Sequence, residues 1–201
     1  KCEDNNYQVT IFTNGSLIDK NVVEKLKSFQ NQVTISVKYD SSENYKKKTK
    51  SGYGLEFIED NIRLLVNNKI PVVTSITVTK DNFKDVKEML NKSVDLGAFP
   101  LLERYIDVKN SKTNKKLSVS NEEWAEAIKQ FMKVYVDYRL LIDGMNRFQG
   151  SSCAFYNINF SIMQGGEVLP CPVLPLSLSL GNISKEPFSD IWRRIQKKRK
   201  E

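Results

Sequence analysis

Along the first hundred positions the apolar residues follow two alternating rhythms. Short runs rich in β-branched and aromatic residues, at 8–12, 33–37, 72–78 and 101–106, read as strands. Between them the apolar positions recur at helical spacing. Val22, Val23, Leu26 and Phe29 mark one amphipathic helix, with Asp19 as its cap. Leu55, Ile58, Ile62 and Leu65 mark a second, after Gly54. Phe83, Val86, Leu90 and Val94 mark a third, with Asn82 as its cap and Gly97 as its stop. The run at 72–78 is apolar enough for a buried parallel strand. Strand–helix units that repeat and end on a strand predict an α/β fold with a parallel sheet, either open or part of a barrel.

Past residue 107 a polar, lysine-rich loop is expected up to about 118. Ser120 and Glu123 form a capping box. A long helix follows, with Trp124, Ile128, Phe131, Met132 and Tyr135 on its apolar face. The texture changes after Gly144, where glycine and proline become frequent. Residues 159–163 and 168–169, joined by Gln164-Gly165-Gly166-Glu167, predict a β-hairpin. Pro187 opens a last helix with Phe188, Ile191, Trp192 and Ile195 on one face. The boundary is expected near residues 140–150, with a first domain over 1–143 and a small α+β module over 144–201. No internal repeat is evident beyond the βα rhythm.

Composition narrows the functional classes. The chain has 201 residues, 40% of them hydrophobic and 27% charged, enough for one domain or one domain plus a module. The longest apolar stretches, at 70–78 and 173–180, are too short to span a bilayer and are broken by Pro71 and Pro175. No signal peptide is visible, so a cytoplasmic protein is expected. Asn14-Gly15-Ser16 fits a glycosylation sequon, and without a secretion signal it reads as coincidence. The net charge of +7 is concentrated at Lys46–Lys50 and Arg193–Lys200. Such a surface could attract nucleic acid, but no strand interleaves aromatics with Lys or Arg as a single-strand platform would. Histidine is absent, which removes Ser-His-Asp and Cys-His catalysis and imidazole metal sites. The three cysteines, Cys2, Cys153 and Cys171, argue against a disulfide framework.

Two groups of residues could carry chemistry. In parallel βα proteins ligands gather at the carboxyl ends of strands. Those ends here hold Thr13, Asn14, Ser36, Lys38, Thr79, Asn82 and Arg104, all hydrogen-bonding or cationic. The bland alternative is that strand ends are ordinarily polar and that Asn82 is a helix cap. Cys153 and Cys171 flank the hairpin, which brings them near one another. Two thiols so placed can share a zinc ion or an iron–sulfur cluster, or be ordinary free thiols. Cys2 has no spacing partner and no assigned role.

These residues resemble a family. The segment Val9-Thr-Ile-Phe-Thr-Asn-Gly15 with Leu17-Ile18-Asp19 is similar to the third strand of the radical S-adenosylmethionine (radical SAM) partial barrel. Thr34-Ile-Ser-Val-Lys38 resembles the fourth strand. The segments 72–82 and 89–97 resemble the fifth strand and its helix, and Leu102-Glu-Arg-Tyr-Ile106 the sixth. Cys153, twelve residues, Gly166, four residues and Cys171 match the opening of the SPASM pattern. Pro170-Cys171-Pro172, Gly181-Asn182-Ile183 and Phe188-xx-Ile191-Trp192 continue it in order. The resemblance implies strands three to six of a partial (β/α) barrel, followed by the start of a SPASM or twitch iron–sulfur module.

What the resemblance implies about function is specific. A [4Fe–4S] cluster reduces S-adenosylmethionine (AdoMet), giving a 5′-deoxyadenosyl radical that abstracts hydrogen from substrate. Thr13, Asn14, Ser36 and Lys38 would line the AdoMet groove; Thr79, Asn82 and Arg104 would reach AdoMet or substrate. Cys153 and Cys171 would ligate an auxiliary [4Fe–4S] cluster. The substrate would be a peptide, a protein or a small cofactor precursor, with flavodoxin or ferredoxin as electron donor. The family's Cys-xxx-Cys-xx-Cys and Gly-Gly-Glu-Pro-like motifs are absent from this sequence. The chain is therefore expected to be a fragment that is inactive alone. The alternatives are a catalytically silent relative that binds a peptide or precursor and, from another class, a basic nucleic-acid-binding module.

Overall fold

The computed structural model describes residues 8–29, 32–41, 45, 52–105, 115–136, 160–171 and 174–198; the side chains of 115, 135 and 136 are excepted. Two compact units are distinguished, Lys1–Tyr138 and Arg139–Glu201.

The first unit is built on a four-stranded parallel sheet in the order β1 (Val9–Thr13), β2 (Val33–Tyr39), β3 (Val72–Val78), β4 (Phe99–Arg104). Among the described residues helices α1 (Lys20–Lys27), α2 (Leu55–Asn67), α3 (Val86–Asp95) and α4 (Asn121–Val136) accompany it. Parallel neighbours need crossover connections, and the helical segments supply them. The α/β expectation is met. Register pairs Phe12 with Ser36, Lys38 with Ser75, and Thr77 with Glu103.

Side-chain alternation splits each strand into two faces. Ile35, Val37 and Tyr39 of β2 and Val72, Ile76 and Val78 of β3 are buried on one face. Helix residues Val23, Leu55, Ile58, Ile62, Leu65, Val86, Met89, Leu90 and Ala127 join them in one cluster. Each fully buried aliphatic side chain there contributes about 1.5–3 kcal/mol. The opposite face carries Thr34, Ser36 and Lys38, then Val73, Ser75 and Thr77, then Leu101 and Glu103. It is the polar face that holds the candidate site.

Several local readings are corrected. Strand β4 begins two residues earlier than the sequence suggests, and includes Pro100. Proline lacks the N–H of a central strand, but β4 lies at the sheet edge, where proline is tolerated. The strand expected to run to Ile106 ends at Arg104 among the described residues; Ile106 lies outside them. Helix α1 is capped by Asp19, whose Oδ1 accepts from the Val22 N–H at 2.8 Å, but it ends before Phe29. Phe29 instead turns the chain, its carbonyl accepting from Val33 N–H, and is 41% exposed. On α4 the capping box is present, with Ser120 N–H donating to Glu123 at 2.7 Å. Among the described side chains of that helix the buried one is Ala127, whereas Met132 is 41% exposed. The side chain of Tyr135 lies outside the described residues.

Helix α3 starts at Val86, after a single 3₁₀ turn over Phe83–Asp85, because Asn82 does not cap it. Its C-terminus is a Schellman motif: Ala98 N–H donates to Ser93 O and Gly97 N–H to Val94 O.

The second unit holds a hairpin of β5 (Ser161–Ile162) and β6 (Val168–Leu169), with Ser161 opposite Leu169. Met163 N–H donates to Glu167 O and Gly166 N–H to Met163 O, closing the turn. Residue 159, where the hairpin was expected to start, lies outside the described residues. Helix α5 (Phe188–Lys198) lays Ile191 and Ile195 against Val168, with Phe160 and Leu180 beside them. No helix among the described residues is long and apolar enough to cross a membrane.

Candidate functional site

The β1–α1 connection is a Thr13-Asn14-Gly15 turn held by its own side chains. The Gly15 N–H donates to Thr13 Oγ1 at 3.0 Å, and the Ser16 N–H and hydroxyl both donate to Asn14 Oδ1. Gly15 has φ +80°, and a Cβ there would lie 2.9 Å from Val37 Cγ1 and 3.3 Å from Ile58 Cγ2. Only glycine supplies both the backbone angle and the space. Buried Asn61 of α2 ties the turn down, its Nδ2 donating to Gly15 O at 2.9 Å.

That turn stands at one rim of a cavity of about 380 Å³ on the polar face of the sheet. Phe12, Thr13 and Asn14 line one side; Ser36, Lys38, Ser75 and Glu103 line the rest. The chain thus brings Thr13, Asn14, Ser36 and Lys38 together across β1 and β2. Strand alternation places 36 and 38 on one side, and parallel register sets 12 beside 36.

Across β2, β3 and β4 a polar chain runs over the cavity floor. The Lys38 ammonium donates to Thr77 Oγ1. The Ser75 hydroxyl donates to Glu103 Oε2 at 2.7 Å, and the Thr77 hydroxyl donates to the same oxygen at 3.4 Å. Burial pushes the Lys38 ammonium below the usual lysine range, while the Glu103 and Asp40 carboxylates oppose that shift. Ser36 is 2% exposed and its Oγ has no hydrogen-bond partner. A cavity with one cation, one carboxylate and an unsatisfied hydroxyl suits a zwitterionic or polyhydroxylated ligand.

Ser75 and Glu103 were not singled out from sequence. Glu103 is the first polar residue on its face of β4, and Ser75 is the cross-strand partner of Lys38. Both follow from alternation once the register is known. Register is a tertiary property, so the sequence carried the signal only in part.

Thr79, Asn82 and Arg104 do not line this cavity. Asn82 is fully buried: its Oδ1 accepts from the Thr79 N–H at 2.8 Å, and its Nδ2 donates to Asp40 Oδ1 at 2.7 Å and to Thr77 O at 3.0 Å. It staples the ends of β2 and β3. Arg104 alternates away from Glu103, and its Nη2 donates to Val119 O at 3.1 Å and Asn121 Oδ1 at 2.9 Å. It anchors the start of α4. The Thr79 Oγ1 is buried without a partner.

In the second unit Cys171 is half-buried, two residues beyond β6. Cys153 and Cys2 lie outside the described residues. Among the described residues no group of three or more Cys, Asp or Glu side chains is gathered as a metal site. The loop after the hairpin is tightly held. Gly166 has φ +88°, and a Cβ there would come within 2.7 Å of Asn182 Oδ1. The Asn182 Nδ2 donates back to Gly165 O at 2.8 Å. Glu186 pairs with Arg194 at 2.6 Å, and Arg194 Nε donates to Leu180 O at 2.6 Å. That pairing holds the Glu186 carboxyl below the usual range.

Comparison with known proteins matches residues 1–92 to the Radical SAM superfamily and residues 153–200 to an iron–sulfur cluster-binding domain, SPASM. The antilisterial bacteriocin subtilosin biosynthesis protein AlbA of Bacillus subtilis (strain 168) is 23% identical over 198 residues, covering 92% of this chain and 42% of AlbA. The chain therefore spans about two-fifths of that relative. Native anSMEcpe with bound AdoMet superposes with a TM-score of 0.73 at 18% identity, over 94% of this chain and 58% of that one. Streptococcus suis SuiB bound to its precursor peptide SuiA gives a TM-score of 0.68 at 18% identity, over 95% and 48%.

Proposed function

We propose that this chain, which belongs to the radical SAM/SPASM family, supplies the AdoMet-facing sheet and part of the auxiliary-cluster module of an enzyme that modifies a peptide or protein. The observation that carries this reading is Ser36, a buried hydroxyl with no partner, on the lining of the same cavity as the Lys38 ammonium. A buried polar group left unpaired costs about 1–3 kcal/mol, and a ligand oxygen would satisfy it. AdoMet fits this donor set, since it brings a carboxylate for Lys38 and ribose hydroxyls for Ser36 and Asn14. Thr13 shapes the turn that presents Asn14. Thr79, Asn82 and Arg104 act as positioning residues that keep the strand ends in place.

Bound AdoMet and a reducing [4Fe–4S] cluster supply the one-electron chemistry of the family, with flavodoxin or ferredoxin as the electron source. Cys2, Cys153 and Cys171 lack the Cys-xxx-Cys-xx-Cys spacing, so this chain by itself is expected not to cleave AdoMet. Cys153 and Cys171 offer thiolates to an auxiliary [4Fe–4S] cluster, the ligand chemistry such clusters require. A peptide substrate is favoured by two relatives: AlbA serves subtilosin biosynthesis, and SuiB is seen with a precursor peptide. The test is calorimetric titration of the protein with AdoMet. Binding is expected, weakened at least about tenfold in Lys38→Met and in Ser36→Val, since each removes a hydrogen bond to a charged or buried group. Equal affinity in all three proteins would overturn the assignment of this cavity.

A further inference from the structure

A second cavity, of about 250 Å³, opens where the end of β2 meets the starts of α2 and α3. Its charged lining is Asp40, Asp85, Glu88 and Lys92, three carboxylates against one ammonium. Asp40 already accepts from Asn82 and from the Ser41 N–H. Glu88 pairs with Lys92 at 3.3 Å. Asp85 makes no such pairing among the described residues. Carboxylates in the first turn of a helix stabilise it through the helix dipole, so the acidic cluster alone is ordinary.

A separate observation points to a ligand. Ser41, on the same lining, is 4% exposed, and its Oγ has no hydrogen-bond partner. A buried hydroxyl is an acceptor as well as a donor. Beside it stand carboxylates with a formal excess of two negative charges over Lys92. Buried Leu55 and Met89 complete the wall with apolar surface. This combination matches a cationic head on an aliphatic stem, the head hydrogen-bonded and the stem packed.

We propose that this cavity binds an organic cation, the guanidinium or ammonium group that a basic peptide side chain or a free alkylamine carries. The site is separate from the Lys38 cavity and does not depend on AdoMet being bound there.

Two cationic probes test it by titration calorimetry: capped N-acetyl-arginine methylamide and free agmatine. Neutral N-acetyl-norleucine methylamide is the reference. At least one cation is expected to bind at least about tenfold more tightly than the neutral probe, the scale of one charge-assisted hydrogen bond. The tighter of the two cations identifies the source, a peptide side chain or a free amine. Asp85→Asn with Glu88→Gln is expected to abolish that preference, whereas Glu126→Gln, which removes an exposed carboxylate on α4, leaves it intact. Lys92→Met frees Glu88 and is expected to tighten binding severalfold; it also decides the matter if the double variant fails to fold. Norleucine binding equal to the cations, affinity unmoved by the acidic double variant, or affinity unmoved by Lys92→Met would each overturn the site.

Discussion

Asn82 reaches from the end of β3 to the carboxylate of Asp40 just beyond β2, Nδ2 to Oδ1 at 2.7 Å. The same side chain accepts from the Thr79 N–H and donates to Thr77 O, and none of it is exposed. It therefore fixes the spacing of the strand ends that carry Lys38 and Thr77. Asn82→Ala is expected to cost about 2–4 kcal/mol, because buried partners are left unsatisfied. Urea denaturation measures this. A loss below about 1 kcal/mol, the level of an ordinary surface change, would show that the staple is dispensable.

Gly15 is expected to be intolerant of alanine. The substitution brings a Cβ to 2.9 Å from Val37 Cγ1 at φ +80°. A left-handed non-glycine residue costs about 1–3 kcal/mol, before the crowding of Val37 is added. Thermal unfolding of Gly15→Ala should show a lowered midpoint. It should also show weaker ligand binding in the Lys38 cavity, since Thr13 and Asn14 move with the turn. A variant as stable as the parent would mean that the turn relaxes without the glycine.

The elements were legible in the sequence wherever packing and local chemistry agreed. Leu55, Ile58, Ile62 and Leu65 read as one helical face and all four are buried. The Ser120–Glu123 capping box read correctly because both hydrogen bonds are local. Asn82 misled, since a polar residue before a helical run has the same sequence signature as a cap. Its side chain is committed to Asp40, 42 positions away. Glu103 was missed for a related reason. Its partners Ser75 and Thr77 are 28 and 26 residues distant, and only the register of β3 with β4 joins them. The four cavity residues Thr13, Asn14, Ser36 and Lys38 were reachable because strand ends and period-two alternation are short-range properties.

The Lys38 ammonium gives the fold a pH dependence of definite sign. Desolvation lowers its folded pKa below the ordinary value of 10.5, against the pull of Glu103 and Asp40. In the window between the lowered value and 10.5, the unfolded chain holds more of this proton than the folded one. Stability contributed by this residue therefore rises with pH through that window and is flat below it. Lys38→Met removes the titration. The urea midpoint of the parent, measured from neutral pH upward, is expected to rise relative to that of Lys38→Met as pH approaches 10.5. Parallel curves would mean that folding leaves the Lys38 titration unshifted.

On the proposed function, Cys171 and Cys153 are expected to hold iron. Cys171 is half-buried, two residues past β6 of a hairpin whose Gly166 turn is held by Asn182. A core thiol would sit among apolar side chains and tolerate alanine. Among the described residues of this unit the buried cluster is Val168, Ile191 and Ile195, with Phe160 and Leu180 packed on it, and Cys171 is not among them. A thiol outside that cluster, just past the end of β6, is better placed to bind metal, at the metal–sulfur distance of about 2.3 Å usual for thiolates. The protein, reconstituted anaerobically, should lose iron and visible cluster absorption when both cysteines become alanine, while its circular dichroism stays that of the parent. Replacing Cys171 alone should lower the iron content, because every missing thiolate opens a coordination position. An unchanged iron content per chain in the double variant would make the cysteines structural, and the auxiliary-cluster assignment would fall with it.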